Sequence, residues 1–324
     1  MKRSTMGFRG ALIAALAVAA SWQSAAAQDY PTRQITLVVG FAAGGYADAI
    51  ARLIGQKLSD RLHQHVVVEN RGGAGGNIAA KAVSAAAPDG YTLLVTTTGL
   101  AVNETMSKNK GFDASDLKAI AIPVSTPETL SVNPKNPAKT LAEFVKNAKG
   151  KSITFATAGV GTGSHLAAEY FFRNVAKIEA VHVPFQGGAP AVNALVGGHV
   201  DAMGASMSGI SGQLKSGAIR GLAVASEKRV PNLPDVPTYA EGGYPGFFAA
   251  SWVGFFAPAK TSDAIAVKLN TEINAILDLP DVQERLKPLS VVTRRTAQAD
   301  SQAYFKSEIT TWGKMVHAVG LAPK

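Results

Sequence analysis

The chain has 324 residues, with 32 lysines and arginines against 23 aspartates and glutamates, a formal net charge of +9, and no cysteine. The absence of cysteine excludes disulfides, thiolate zinc sites and cysteine nucleophiles. The modest positive charge suits an anionic ligand or serves solubility alone, and no basic run interleaved with aromatic residues indicates a nucleic-acid surface.

The first predicted element is a secretory signal peptide over residues 1–27. Basic residues, including Lys2 and Arg3, precede the apolar run ALIAALAVAA, and small residues then lead to a cleavage position after Ala27. The apolar run is shorter than the roughly 20 residues that span a bilayer, and no later segment qualifies. We therefore expect a soluble, exported protein.

The chain after the signal peptide contains a loose internal repeat. The first unit reads ITLVVGFAAGG, an amphipathic helix, HVVVENRGGAGGNIAAKAV and GYTLLVTTTG. The second unit reads ITFATAGVGTGSH, an amphipathic helix, AVHVPFQGGAPAVNALV and HVDAMGAS. Short, β-branched strand runs that are apolar on both faces are typical of buried parallel sheets. The alternation of strands, glycine loops and helices predicts two α/β domains of similar design.

The segments after each unit predict how the domains are joined. KAIAIPVS and TLSVNP follow the first unit, and IRGLAVAS and SWVGFFAPA follow the second. These strand-like runs are candidates for two crossings, and Ser262 is placed to cap a C-terminal helix. We expect a first lobe of residues 28–125 plus 250–324, a second lobe of residues 126–249, and a hinged cleft between them.

The first strand-to-helix loops of the two units, FAAGGYAD and TAGVGTGSH, are candidate ligand loops. Ligands bind beyond the carboxyl ends of strands in open α/β sheets, and backbone N–H groups at a helix N-terminus bind carboxylates or phosphates. Neither loop contains lysine or arginine. We therefore expect neutral donors, with side-chain hydrogen bonds from Thr157, Thr162, Ser164 and His165. The alternative, that both loops are only tight turns, is weakened by their equivalent places in a repeat.

Other polar residues belong to the same predicted cleft. Asp48 lies in the first turn of a helix, where it favours the helix dipole and pairs with Arg52; contact with a ligand is the alternative. The third strands of the two units end in TTTG (96–99) and GASMS (204–208). We expect the hydroxyl groups of these two segments to line the cleft.

Sequence motifs for catalysis and cofactors are absent. The chain contains no dinucleotide fingerprint, P-loop, nucleophile elbow or H-E-x-x-H motif. A serine hydrolase that pairs Ser164 or Ser206 with His165 is an alternative from another class, but no orienting acid is placed for it. We expect no enzyme activity, no cofactor and no metal site.

Long stretches of the chain resemble the substrate-binding proteins of tripartite tricarboxylate transporters, also called the Bug family. These stretches are FAAGGYADAIAR, VVVENRGGAGGNIAA, APDGYTLLV, VHVPFQGGAPA and LPDVPTYAEGGYPG, and the resemblance runs from about Tyr30 to Leu321. It implies a protein of the periplasm with a type II periplasmic-binding-protein fold, whose two lobes close on a small carboxylate. It also implies delivery to a two-component integral-membrane permease, with sensing at a membrane receptor as the alternative role. We expect a monomer that binds no nucleic acid.

Three positions depart from the family pattern. The family commonly has proline where Ala43 stands, a small residue at Tyr46 and tyrosine at Phe185. Together these aromatic residues suggest a cleft in which a flat ring carrying carboxylates stacks, and the sequence is similar to the terephthalate-binding branch of the family. An aromatic dicarboxylate such as terephthalate is the leading ligand. An aliphatic di- or tricarboxylate is the alternative, and Tyr46 alternatively packs on a neighbouring loop.

The loop pattern and the resemblance together define the expected ligand site. In the family, the first loop of each lobe grips one carboxylate, often through ordered waters. The predicted ligand-binding residues are Gly44, Gly45, Tyr46, Ala47, Asp48, Thr97, Gly99, Ala158, Gly159, Thr162, Gly163, Ser164, His165, Phe185 and Ser206.

Overall fold

The computed structural model describes residues 30–323 as an α/β protein built on one mixed sheet. The predicted signal peptide and its cleavage position lie outside these residues. Within residues 30–323, no helix combines the length and apolar character needed to cross a membrane. The strands are β1 Ile35–Val39, β2 Val66–Asn70, β3 Thr92–Thr97, β4 Leu117–Val132, β5 Ser152–Thr157, β6 Glu179–Pro184, β7 Ala202–Ser206, β8 Arg220–Val224, β9 Ala250–Pro258 and β10 Val292–Thr293. The helices are α1 Tyr46–Leu62, α2 Asn77–Ser84, α3 Gly99–Met106, α4 Leu141–Ala148, α5 Gly163–Tyr170, α6 Gly188–Val196, α7 Met207–Lys215, α8 Asp263–Leu277, α9 Pro280–Leu286 and α10 Gln298–Ala318.

The first half of the molecule is a mainly parallel sheet with helices on both faces. β2, β1 and β3 run parallel, and β9 lies antiparallel beside β3. Leu37 and Val39 pack in one core with Ile50 of α1, whereas Val38 packs in another core with Val83 of α2. Because successive residues of a strand point to opposite faces, β1 is buried on both sides, as its apolar sequence predicts.

The second half repeats this arrangement. β6, β5 and β7 run parallel in that order. Phe155 of β5 packs with Leu166 of α5, and the next residue, Ala156, packs in a separate core with Leu195 of α6. The prediction of two similar α/β units is therefore confirmed.

A single long strand, β4, joins the halves where the sequence suggested two separate strand runs. From Leu117 to Pro127 it pairs with β9 in antiparallel register, and from Glu128 onward it pairs with β7 and β8. Proline cannot donate a ladder hydrogen bond and is tolerated at irregular positions of a strand. Pro123 lies where the register with β9 shifts, so β4 continues through it.

The C-terminal segments return to the first half, as a double crossing predicts. Ser262 caps α8 by accepting a hydrogen bond from Ile265 N–H at 3.3 Å. Leu269 and Ile273 of α8 are buried in one core with Leu37 of β1. Phe305 and Trp312 of α10 are buried with Trp252 of β9. β4 and the chain that enters β9 are thus the two crossings, and the lobe boundaries at 125 and 249 stay predictions.

Candidate functional site

The loop between β1 and α1 is built around the carboxylate of Asp48. Its Oδ2 accepts hydrogen bonds from Gly44 N–H at 2.9 Å and from Arg52 Nε at 3.0 Å. Its Oδ1 accepts one from Asn70 Nδ2 at 2.9 Å. Burial acts to raise the pKa of Asp48, but these hydrogen bonds lower it overall. The expected pairing with Arg52 is confirmed, and the carboxylate shapes the loop from within.

The loop between β5 and α5 is held by Thr162. The Thr162 hydroxyl donates to Gly159 O at 2.8 Å and accepts from His165 N–H at 3.2 Å, which caps α5. Gly159 and Gly161 have φ angles of 138° and 76°, in the left-handed region that favours glycine. The backbone therefore turns tightly just before α5 begins.

A cavity lies between these two loops and is lined by residues from both halves. Its walls are formed by Phe41, Gly45, Tyr46, Ala47, Thr97, Glu128, Ala158, Thr162, Gly163, Ser164, Gly188, Met203, Gly204, Ala205, Ser206, Gly209, Ile210 and Ser251. Several predicted ligand residues are brought together here. They are Gly45, Tyr46, Ala47, Thr97, Ala158, Thr162, Gly163, Ser164 and Ser206.

The two halves touch each other beside the cavity. Ala42 N–H of the first half donates to Gln186 O of the second half at 3.2 Å. A Cβ atom added to Gly75 would lie only 2.4 Å from Val160 O across the same gap. The structure therefore describes a closed form, in which the backbones of the two halves are in contact.

Helix N-termini from both halves meet at the cavity. α1 begins at Tyr46, α5 at Gly163 and α7 directly after Ser206, and these three residues all line the cavity. The first N–H groups of a helix have no intrahelical partner and attract anions. Among the described residues that line the cavity, none is lysine, arginine or histidine. An anion here would be held by neutral donors, as the loop composition predicts.

Glu128 of β4 also lines the cavity, and reasoning from the sequence missed it. Its side chain is buried, Ser251 Oγ donates a hydrogen bond to Oε1, and Oε2 has no partner among the described residues. Burial raises the pKa of the Glu128 carboxyl to about 7, although the hydrogen bond from Ser251 acts to lower it. The sequence feature that could have indicated Glu128 is its position as an acidic residue in the run TPETLSV, between two segments predicted to be crossing strands.

Tyr46, the first residue of α1, forms part of the cavity wall. It is 8% exposed, and its Oη has no hydrogen-bond partner among the described residues. Burial raises the pKa of the Tyr46 phenol, and the nearby Glu128 adds to this effect. The ring thus packs at the cavity and leaves one polar atom without a protein partner.

Other predicted ligand residues lie outside this cavity. Gly44 lines a neighbouring groove, and Gly159 and Phe185 line a second one. At Gly99 a Cβ atom would approach two backbone carbonyl oxygens at 2.8 and 3.1 Å, so this glycine permits close packing between segments. Asp48 is engaged within its own loop, as described above. A ligand contact by any of these residues stays a prediction.

His165 lies in the interior of the second half. Its ring stacks on His182 with ring centroids 4.0 Å apart, and its Nδ1 accepts a hydrogen bond from Gly161 N–H at 3.3 Å. Burial is the main cause that lowers the pKa of His165 to about 4 and that of His182 to about 3. Ser164 Oγ contacts Thr162 Oγ1 at 3.2 Å. The described hydrogen bonds therefore assemble no Ser164–His165 pair, and residues 30–323 hold no cluster of three potential metal ligands.

Comparison with known proteins gives matches over most of the chain. Residues 50–321 match the family described as "Tripartite tricarboxylate transporter family receptor". The "UPF0065 protein in tcbD-tcbE intergenic region" of Pseudomonas sp. (strain P51) is 38% identical over 316 residues, which are 95% of this chain and 94% of the relative.

Solved structures share the same fold. "R. palustris Rpa4515 with adipate" superposes with a TM-score of 0.87 at 34% identity, covering 91% of this chain and 100% of that one. "MatC (Rpa3494) from Rhodopseudomonas palustris with bound malate" gives a TM-score of 0.85 at 34% identity, covering 89% and 100%. With its two α/β lobes and these matches, the chain belongs to the tripartite tricarboxylate transporter receptor family of periplasmic solute-binding proteins.

Proposed function

We propose that the chain captures a small carboxylate between its two lobes, closes on it, and delivers it to a two-component integral-membrane permease. The observation that carries this proposal is the cavity between the lobes at which helix N-termini from both lobes meet without a basic side chain among the described lining residues. A ligand that contacts both lobes binds the closed form better than the open form and so shifts the population toward closure. The adipate and malate held by similar proteins support a carboxylate ligand.

An aromatic dicarboxylate such as terephthalate is our leading ligand. Phe41 and Tyr46 both line the cavity, and a flat ring packs well against aromatic side chains. The helix N-termini at different walls suit a ligand with two anionic ends. An aliphatic di- or tricarboxylate is the alternative, and the adipate and malate of the similar proteins favour it.

The proposal also includes export of the protein to the periplasm and a role in binding. Cleavage of the predicted signal peptide after Ala27 would release a monomer into the periplasm, the compartment of this family. We propose binding without catalysis, since Ser164 has no described histidine partner. Docking on a receptor for sensing, rather than on a permease for transport, is the alternative role.

Thermal unfolding in the presence of a panel of carboxylates tests the ligand class. Purified protein from residue 28 onward would be heated with terephthalate, benzoate, adipate, malate and citrate, and with sodium chloride at matched ionic strength as the control. A ligand that binds only the folded state stabilises it by about 2.7 kcal/mol at 100 times its Kd. We expect dicarboxylates to raise the Tm by several degrees, terephthalate most of all.

The outcomes of this panel test carboxylate capture and the preference for an aromatic ligand separately. A Tm that no carboxylate raises would contradict carboxylate capture. Shifts with aliphatic acids alone would keep carboxylate capture and remove the aromatic preference.

A further inference from the structure

We infer that Glu128 and Tyr46 form the end of the cavity that binds the second carboxylate of the ligand. In this role Glu128 is a neutral acid whose O–H donates a hydrogen bond to that carboxylate. This inference rests on the proposed function and deepens it. Two buried polar atoms at the cavity carry it, Glu128 Oε2 and Tyr46 Oη, which have no hydrogen-bond partner among the described residues.

The strands around Glu128 fix its position. It lies opposite Ser206 of β7 in the antiparallel ladder, directly after Pro127, the last residue that β4 pairs with β9. Ser251 of β9 holds Oε1. Leaving a buried polar atom without a partner costs free energy, so the remaining oxygen, Oε2, is placed to bind a group that enters the cavity.

Among the described residues around Glu128, no cation compensates a negative charge on its carboxylate. The groups that face it from the surrounding elements are the Tyr46 phenol of α1, the backbone at Gly163 of α5, the hydroxyls of Ser206 and Ser251, and the Tyr239 phenol. None of these groups is charged at neutral pH. An ionised Glu128 would therefore add a third negative charge beside a bound dicarboxylate, and like charges that share one site are strongly disfavoured.

Protonation of Glu128 replaces this repulsion with a hydrogen bond. Burial raises the pKa of the carboxyl to about 7, so the group takes its proton from water near neutral pH. The carboxylate of the ligand then accepts the Glu128 O–H, and Tyr46 Oη donates a second hydrogen bond to it. When the ligand leaves, the proton returns to the solvent. Above the pKa of Glu128, each dicarboxylate therefore binds together with about one proton.

The affinity for a dicarboxylate should accordingly depend on pH in one direction. Because the bound form requires the protonated acid, Kd should rise about tenfold per pH unit above the pKa of Glu128 and level off below it. Ordinary carboxyl groups of a ligand titrate near pH 4, so they stay ionised across this range. Calorimetric titration with terephthalate, and with adipate in parallel, from pH 6 to pH 9 measures the slope. Repeating the titration at pH 8 in two buffers with different ionisation enthalpies counts the protons taken up, without any variant.

The variant Glu128→Gln tests whether a neutral hydrogen-bond donor at position 128 is sufficient for binding. Glu128→Gln keeps the shape and an N–H donor but cannot titrate, so we expect an affinity that is nearly constant from pH 6 to pH 9 and tighter than wild type at pH 9. The control is Glu227→Gln, an exposed position, which should keep the pH dependence of the wild type.

The possible negative results distinguish a failure of this inference from a failure of the proposed function. Wild-type binding of a dicarboxylate with no pH dependence and no proton uptake would overturn the inference and leave carboxylate capture standing. Affinity that increases as the pH rises would also overturn it, because binding would then favour the ionised form of Glu128. If no carboxylate binds the wild type at any pH, the proposed function and this inference fall together.

Discussion

Tyr46 is the residue at which the choice between aromatic and aliphatic ligands is expected to be made. Its ring lies in the cavity wall at the start of α1, and its Oη lacks a described partner. The sequence left two roles open for it, ligand contact and packing on a neighbouring loop. Its position satisfies the geometric requirement of the first role, and a substitution can separate the two.

Tyr46→Gly is expected to weaken terephthalate binding about tenfold more than it weakens adipate binding. The reason is that an aromatic pair contributes about 0.5–1.5 kcal/mol beyond its buried area, which an aliphatic ligand does not gain. Calorimetry gives both Kd values. Tyr46→Phe is the matched control, since it keeps the ring and removes only Oη. Equal losses for both ligands in Tyr46→Gly would assign the ring a structural role.

At the scale of elements, the turn over Ala74–Gly76 is a point where the lobes meet. A Cβ atom on Gly75 would lie 2.4 Å from Val160 O of the other lobe, so Gly75→Ala should oppose closure. We expect the substitution to weaken ligand binding about tenfold or more, since each tenfold change corresponds to only about 1.4 kcal/mol. Binding is measured by calorimetry and folding by the Tm.

Gly150→Ala is the matched control for this experiment. Gly150 has a φ of +74°, close to the +65° of Gly75, and a Cβ atom there would meet no atom within 4 Å. Both substitutions thus carry similar backbone strain, and only one obstructs closure. If both variants lose affinity equally, strain in the backbone explains the loss and the contact between the lobes does not.

Elements with a strong local pattern could be predicted from the sequence. The four-residue spacing of Ile50, Ile54 and Leu58 predicts α1, and all three side chains are buried in one core. The internal repeat predicts two α/β units, because each unit carries its own strands, loops and helices. The sequence divides β4 into the runs KAIAIPVS and TLSVNP on either side of residues 126–128, and only the pairing of β4 with β9 shows that the strand continues through Pro127.

The site was predictable only where it depends on the loops themselves. Gly45 and Gly163 follow from the glycine pattern before each helix, and both line the cavity. Glu128 could not be placed, because it comes to the cavity through pairing with strands that are distant in the sequence. His165 was assigned to the ligand by its loop position, whereas its stacking on His182 depends on a strand further along the chain.

At the scale of the whole molecule, a disulfide between the lobes should lock the cleft. A Cβ atom on Gly44 of the first lobe would lie 3.9 Å from Ala189 Cβ of the second, within the 3.5–4.5 Å, roughly, that a disulfide requires. The chain has no cysteine, so Gly44→Cys with Ala189→Cys would introduce its only thiols. After oxidation without ligand we expect binding to be lost, and after reduction we expect it to return, as measured by calorimetry.

The single substitution Gly44→Cys is the control, since it has the same backbone change and cannot close a disulfide within one molecule. It should bind ligand in both oxidising and reducing buffers. An oxidised double variant, with the disulfide verified by mass spectrometry, that still takes up ligand as fast as the reduced form would show that the cleft need not open at this point.

The pairing of β4 with β9 continues to Pro127 and Ala250, and Glu128 N–H still donates to Ala249 O at 2.9 Å. The two crossings are therefore hydrogen-bonded to each other up to Glu128, and we expect them to bend together as one hinge when the cleft opens. The contacts that the two lobes make with a ligand in the cavity would then form together as the cleft closes. A ligand that is too long in any direction would then hold the entire cleft partly open. Closure would thus select ligands by their total length and not by the fit of one end.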